Sequence, residues 1–184
     1  MATSIDICSN ALILIGDSPI ASFNDTGAGA QAAANLYSET YRQVLSEHPW
    51  SFATKEQQLS RLSAQPDDET GYRYAFQLPS DMVRLWRLFP QSDYDIVGAM
   101  LYSNETELIA RYIYQVTETS LPPHMVKTIE YRMASDFAML VTEDVQKAQY
   151  YDQKYLDMLT RAKSIDSQGR PQHRIFDSPF TDVR

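Results

Sequence analysis

Gly16-Asp17-Ser18 has the residue order that opens a Gly-Asp-Ser esterase, where the serine hydroxyl attacks an ester carbonyl. That chemistry needs a strand leading into the serine and an Asp-x-x-His near the C-terminus to supply the base. Here a helical pattern precedes Gly16, and no Asp-x-x-His occurs. Gly27-Ala28-Gly29 stands before a helix as a phosphate-cradling loop does. No strand leads into it and no acidic residue follows at the required distance, so it reads as a helix N-cap region. His48, His124 and His173 are far apart and none lies in metal-ligand spacing. His48-Pro49 and Pro123-His124 fall at helix termini, where a protonated His48 would complement the dipole of the helix before it. Glu143-Asp144 and Asp67-Asp68-Glu69 bring carboxylates together, but in loops and helix starts where acids are solvated. Trp50 and Trp86 read as structural anchors of a core or an interface. Arg84 and Arg87 flank Trp86 and give the one hint of a base-stacking platform, which needs a wider basic surround. The residues therefore define no catalytic, cofactor-binding or metal-ligating set, and the expected cofactor is none.

Composition sets the bounds within which those residues act. The 184 residues fit one compact domain, or one domain with a small inserted module. A hydrophobic fraction of 43% is enough for a real core, and 11% is aromatic, with 12 tyrosines. The net charge of −8 argues against a protein that grips nucleic acid by neutralising phosphates. It is compatible with simple solubility, and with a wall that repels a duplex and leaves it free to slide. Cys8 is the only cysteine, so no disulfide within the chain forms, and its place in an apolar helical pattern makes it a small core residue. No basic leader region opens the chain, and the longest clean apolar run, 11–15, is far short of a membrane span.

The elements that position these residues follow from periodicity. Ser4 is placed to cap a helix whose apolar positions are Ile5, Cys8, Leu12 and Ile15, and Gly16 to end it. A second helix is predicted from Ala28 to Glu47, with an Ala-rich start suited to close approach and Pro49 as its stop. From Trp50 to Val116, short runs of β-formers alternate with turn signals: 72–78, 82–88, 94–97, 99–102 and 107–114. These predict four or five short antiparallel strands, with Gln65 to Gly71 as the most polar loop. A third helix begins near Ser120 with Pro122 and Pro123 in its first turn, and Met125, Ile129, Met133, Phe137 and Leu140 follow at spacings of four, four, four and three. Thr142 is placed to cap a fourth, with Val145, Ala148, Tyr151, Tyr155, Leu159 and Ala162 on one face. The predicted fold is thus α+β. A four-helix bundle forms from the N-terminal helix pair (1–49) and the C-terminal pair (119–165), with a small antiparallel β module (50–118) inserted. A C-terminal arm, 166–184, completes the chain. Periodicity stops at Asp166, and Ile175, Phe176 and Phe180 follow, so the segment reads either as a frayed end or as an arm that docks on a partner.

Four segments in order resemble the tail tubular protein A family, the head-to-tail adaptors of short-tailed phages. They are Ile7 to Ile20 with the Ala-rich helix after it; His48-Pro49-Trp50-Ser51-Phe52-Ala53; Tyr72 to Asp81 followed by Val83-Arg84-Leu85-Trp86-Arg87; and Arg111 to Thr117 with the Pro-started helix beyond. The resemblance spans about residues 5 to 165. It implies a structural virion protein without catalysis: a homo-oligomeric ring, usually of twelve copies, between the portal protein and a tail nozzle of the tail tubular protein B kind. DNA passes through such a ring during packaging and ejection without sequence-specific binding, and no membrane is involved. The implied location is the head-tail junction of the virion, after assembly in the host cytoplasm. The helical part is then expected toward the portal, the β part toward the nozzle, and Ile175 to Arg184 as an arm onto a neighbour or the portal. Ile175, Phe176, Phe180, Arg170 and Arg174 are the expected interface residues.

Three other readings compete. A head-completion or tail-terminator protein of another phage lineage also forms rings and differs in its neighbours. A bacterial helical binding module would recruit a partner through the apolar tail as a monomer or dimer. A hydrolase with an unrecognised carboxylate or serine site requires a concave pocket holding perturbed titrating groups. Within the ring reading, exposed Tyr and Trp suit permanent contacts, and deleting 166–184 is expected to leave a folded subunit that assembles poorly.

Overall fold

The structure is a computed structural model, and it describes residues 2–63 and 71–169. The expected polar loop falls almost wholly outside the described residues, as do the interface residues Arg170, Arg174, Ile175, Phe176 and Phe180.

Two helices open the chain. α1 (Ser4–Ile15) starts at Thr3 rather than at Ser4: the Thr3 side chain accepts from the Asp6 N–H, and the Asp6 carboxylate accepts from the Thr3 N–H. This reciprocal box satisfies two otherwise orphan donors. Gly16 ends the helix in the left-handed region at φ 90°, and its N–H and that of Asp17 close onto Ile13 and Leu12 carbonyls. α2 (Ala28–Ser46) buries Ala33, Tyr37, Tyr41 and Val44 along one face. A single 3-10 turn, Ser51–Ala53, then leads into the strands.

Among the described residues seven antiparallel strands follow: β1 (Thr54–Gln58), β2 (Ser60–Arg61), β3 (Tyr74–Gln77), β4 (Met82–Phe89), β5 (Tyr94–Val97), β6 (Met100–Ser103) and β7 (Ile109–Tyr114). They form two sheets, one ordered β1-β7-β4 and one ordered β2-β3-β6-β5. Phe76 and Leu101 of the second sheet, with Leu78 just past β3, meet Leu88, Ala110 and Tyr112 of the first in a small core. β1 had no readable signature: Thr54-Lys55-Glu56-Gln57-Gln58 has no apolar residue to alternate, and β7 holds it through the Thr54–Ile113 to Gln58–Ile109 register. β5 and β6 join through a two-residue turn whose first residue, Gly98, has φ 62°, as a tight hairpin requires.

α3 (Pro123–Leu140) carries Pro122 as its N-cap and Pro123 at its first position. α4 (Val145–Gln168) is capped by Asp144, which accepts from the N–H groups of Gln146 and Lys147. Thr142, the expected cap, instead donates back to the Ala138 carbonyl. Helical structure continues past Asp166 to Gln168.

The expectation of a four-helix bundle is overturned. The two helix pairs are divided by the strand-rich middle, and they do not close on each other as a bundle. α3 is the hub against which α1, α2 and α4 each lie, while α1 and α2 barely meet. The remaining apolar stripes are covered by the β region: Trp50, Ala53, Ile113 and Val116 sit in the same core as Ile7, Tyr41, Ile129 and Phe137. Helical periodicity reports which face is buried and is silent on what buries it. Among the described residues no helix is long and apolar enough to cross a membrane.

Candidate functional site

The chemistry-bearing residues are dispersed by the fold into structural roles. Ser18 follows the α1 C-cap, and its N–H donates to the carboxylate of the adjacent Asp17. The start of α2 opens on a cavity of about 620 Å³ whose lining includes Asp17, Asp25, Gly27 and Val141. Two carboxylates in that lining oppose any anion drawn by the helix dipole, so Gly27-Ala28-Gly29 does not present a phosphate cradle. No group of three or more His, Cys, Asp or Glu among the described residues is arranged to hold a metal ion. The Cys8 thiol is buried in the core, which pushes its pKa up to about 12 and removes it from thiolate chemistry at neutral pH.

One polar constellation was missed by sequence reasoning. Asp166 is buried, and its Oδ1 accepts both from the Ser51 N–H at 2.8 Å and from the Ser51 hydroxyl at 2.6 Å. His48 Nε2 lies 3.6 Å from its other oxygen. The carboxylate, not the imidazole, holds the serine proton, so the imidazole is not placed to act as the general base for Ser51. The cluster ties the end of α4 to the junction between α2 and β1. A signal existed: Asp166 follows Leu159 and Ala162 at spacings of three and four and so continues their buried stripe. Beside it Trp50 is fully buried, stacked on Phe52 with ring centres 5.9 Å apart and edge-on to His48 at 4.9 Å. Trp50 is the core anchor of the junction.

Trp86 belongs to a surface instead. It is 38% exposed on β4 and borders a cavity of about 350 Å³ with Lys55, Glu56 and Arg111. The Arg111 guanidinium pairs with Glu56 and lies 5.2 Å over the Phe89 ring. Arg87 lies 5.8 Å over the Trp86 ring. Arg84 turns back to donate to the Ser46 carbonyl at the end of α2, so it is a tie between helix and strand. Several tyrosines serve in the same way. Tyr41 donates to the Val116 carbonyl at 2.6 Å, Tyr114 to the Phe52 carbonyl, and Tyr151 to the Leu14 carbonyl. Burial pushes the Tyr41 hydroxyl pKa up, which keeps it protonated and donating. The strongly exposed large tyrosines are Tyr94 and Tyr150.

Exposed large apolar side chains occur at one helix end, on the two sheets, and along α4 at Leu156 and Ile165. Ile13, Met139, Leu140, Val145 and Tyr150 lie where α1 and α3 end and α4 begins. Those ends are held together by Lys147 donating to the Ile15 carbonyl at 2.8 Å and by the Asp144 N–H donating to Ala138. Tyr94, Ile96, Val97, Trp86 and Ile109 are exposed on the two sheets. α4 runs from Val145 to the Asp166 tie at the α2–β1 junction, a rise of about 30 Å at 1.5 Å per residue.

Comparison with protein-family models and with curated proteins returns no match.

Proposed function

We propose that the chain is a structural subunit of a short-tailed phage virion, an adaptor that forms a ring between portal and tail nozzle around the DNA channel. The observation that carries this reading is the set of four ordered segments between residues 5 and 165 that resemble the tail tubular protein A family. Soluble monomers rarely expose several large apolar residues together without a partner for them. A subunit placed between two other rings needs a contact surface at each end, and a rigid body to hold them apart. The tie from Asp166 to Ser51, the fully buried Trp50 and the tyrosine bonds between elements supply that rigidity. The four sequence segments resembling the tail tubular protein A family supply the assignment to a head-to-tail position. The acidic balance fits a channel wall that does not hold DNA. Residues 1–49 carry Asp6, Asp17, Asp25, Glu39 and Glu47 against Arg42 alone.

The test is the mass of the purified chain in solution, alone and after mixing with its portal. A large, defined ring in either condition supports the reading. A monomer or dimer in both conditions overturns it in favour of a binding module that recruits a single partner.

A further inference from the structure

We propose that β5 of one subunit docks on the outer face of the β1-β7-β4 sheet of a second copy of this chain, as the lateral contact of the ring. This deepens the adaptor reading and rests on it.

β5 is an edge strand that pairs with β6 on one side and with no strand on the other among the described residues. All four of its residues are exposed, and Tyr94, Ile96 and Val97 are 45%, 39% and 53% accessible. Such an edge is a template for association unless something shields it. The shield here is acidic. Asp93 and Asp95 bracket Tyr94, Glu105 and Glu107 follow the β6 end, and no lysine or arginine occurs between Arg87 and Arg111.

The outer face of the other sheet is its complement. Ile109 pairs with Phe89 and Arg111 with Arg87, so these four residues alternate onto one face, with Glu56 and Gln58 beside them on β1. Ile109 is 43% exposed, and Trp86 adds an exposed aromatic surface at the irregularity between Leu85 and Arg87. Arg111 is already neutralised by Glu56. Arg87 is exposed and makes no ion pair among the described residues, its guanidinium resting on Trp86. A mixed face, with Ile109, Phe89 and Trp86 beside one unneutralised guanidinium, meets an apolar strand flanked by two carboxylates. Charge and hydrophobicity are complementary between the two surfaces, and Arg is the side chain best suited to a carboxylate at an interface.

The same charges choose between symmetries. Two copies pairing β5 to β5 would bring the carboxylates of Asp93 and Asp95 close to their own counterparts, and like charges across strands are destabilising. β5 on the neighbouring sheet uses two different patches, which is the head-to-tail contact that closes a ring by rotation.

The experiment compares four full-length chains: wild type, Arg87→Glu, the pair Asp93→Lys with Asp95→Lys, and the three changes combined. Sedimentation velocity over a concentration series, with portal present if wild type requires it, gives the concentration at which the ring forms. Each reversal alone should raise that concentration about tenfold or more, since juxtaposed like charges across an interface are strongly unfavourable. The combined chain should return to within about threefold of wild type, because it restores opposite signs across the contact. Far-UV circular dichroism checks that each chain is folded; if one is not, Arg87→Gln and Asp95→Asn replace it, and the contact then predicts that the two combined weaken assembly no more than either alone. Wild-type rings that tolerate both reversals overturn this contact and leave the adaptor reading standing. Reversals that abolish assembly without rescue in the combined chain also overturn it. A wild-type chain that never assembles, with or without portal, removes both.

Discussion

At the scale of single residues, the side chains that a functional reading first fastens on turn out to be mechanical. Ser51, His48 and Asp166 are of the types a hydrolase uses, yet their order around the carboxylate makes a tie. Trp50 is the residue on which the junction depends most. It is fully buried where α2 hands over to the strands, against His48 and Phe52. Trp50→Ala leaves a cavity in a close-packed core, and the expected cost is about 3–5 kcal/mol, read as a lowered melting temperature. An unchanged melting temperature would contradict its placement in the core. Burial of Asp166 was not legible as a role from its type, because an acid near a helix end is ordinarily solvated. Its position on the Leu159 and Ala162 stripe was the legible part.

At the scale of elements, the sequence reading succeeded where a local rule decides the outcome. The end of α1 at Gly16 and the prolines opening α3 are set by backbone conformation, which residue type dictates directly. β4 and β7 were visible through their alternation. β1 was not, since its five residues are polar and it is held by register with β7. The caps slipped by a residue or two because Thr3 and Ser4, or Thr142 and Asp144, are equally able to cap, and the choice falls to which hydroxyl or carboxylate reaches the N–H groups. The bundle expectation fails because four apolar stripes do not specify their partners; Trp50, Ile113 and Val116 of the β region share the core with the helices. Within the β region, β1, β4 and β7 are linked through Asp81, which accepts from Lys55 at 2.8 Å and from the Tyr112 hydroxyl at 3.1 Å. The Lys55 hydrogen bond is the chief reason its carboxyl is held below the usual carboxylate range. A carboxyl with a depressed folded pKa contributes stability that is present above the unfolded value, about 3.9, and is lost as pH falls through the folded one. Asp81→Asn should therefore lower stability at neutral pH, with the difference from wild type shrinking as the pH falls below the ordinary carboxylate value and through the depressed folded one. Denaturant melts at a series of pH values check this, and a difference that persisted in acid would contradict it.

At the scale of the whole molecule, the helical continuation through Asp166 changes where the arm begins. Cutting at residue 166 would remove the carboxylate that holds Ser51, so a loss of stability would say nothing about assembly. Removing 170–184 instead spares α4 through Gly169. That chain should keep the helical circular dichroism of the full protein and form rings less readily. A loss of helical signal would place the arm in the core of the subunit. The central claim is that these surfaces exist to build a ring. It is tested most directly by light scattering on the purified full chain, first alone and then with its portal. A single large species of defined mass, in either condition, is what the account predicts. A chain that stays monomeric or dimeric in both contradicts it.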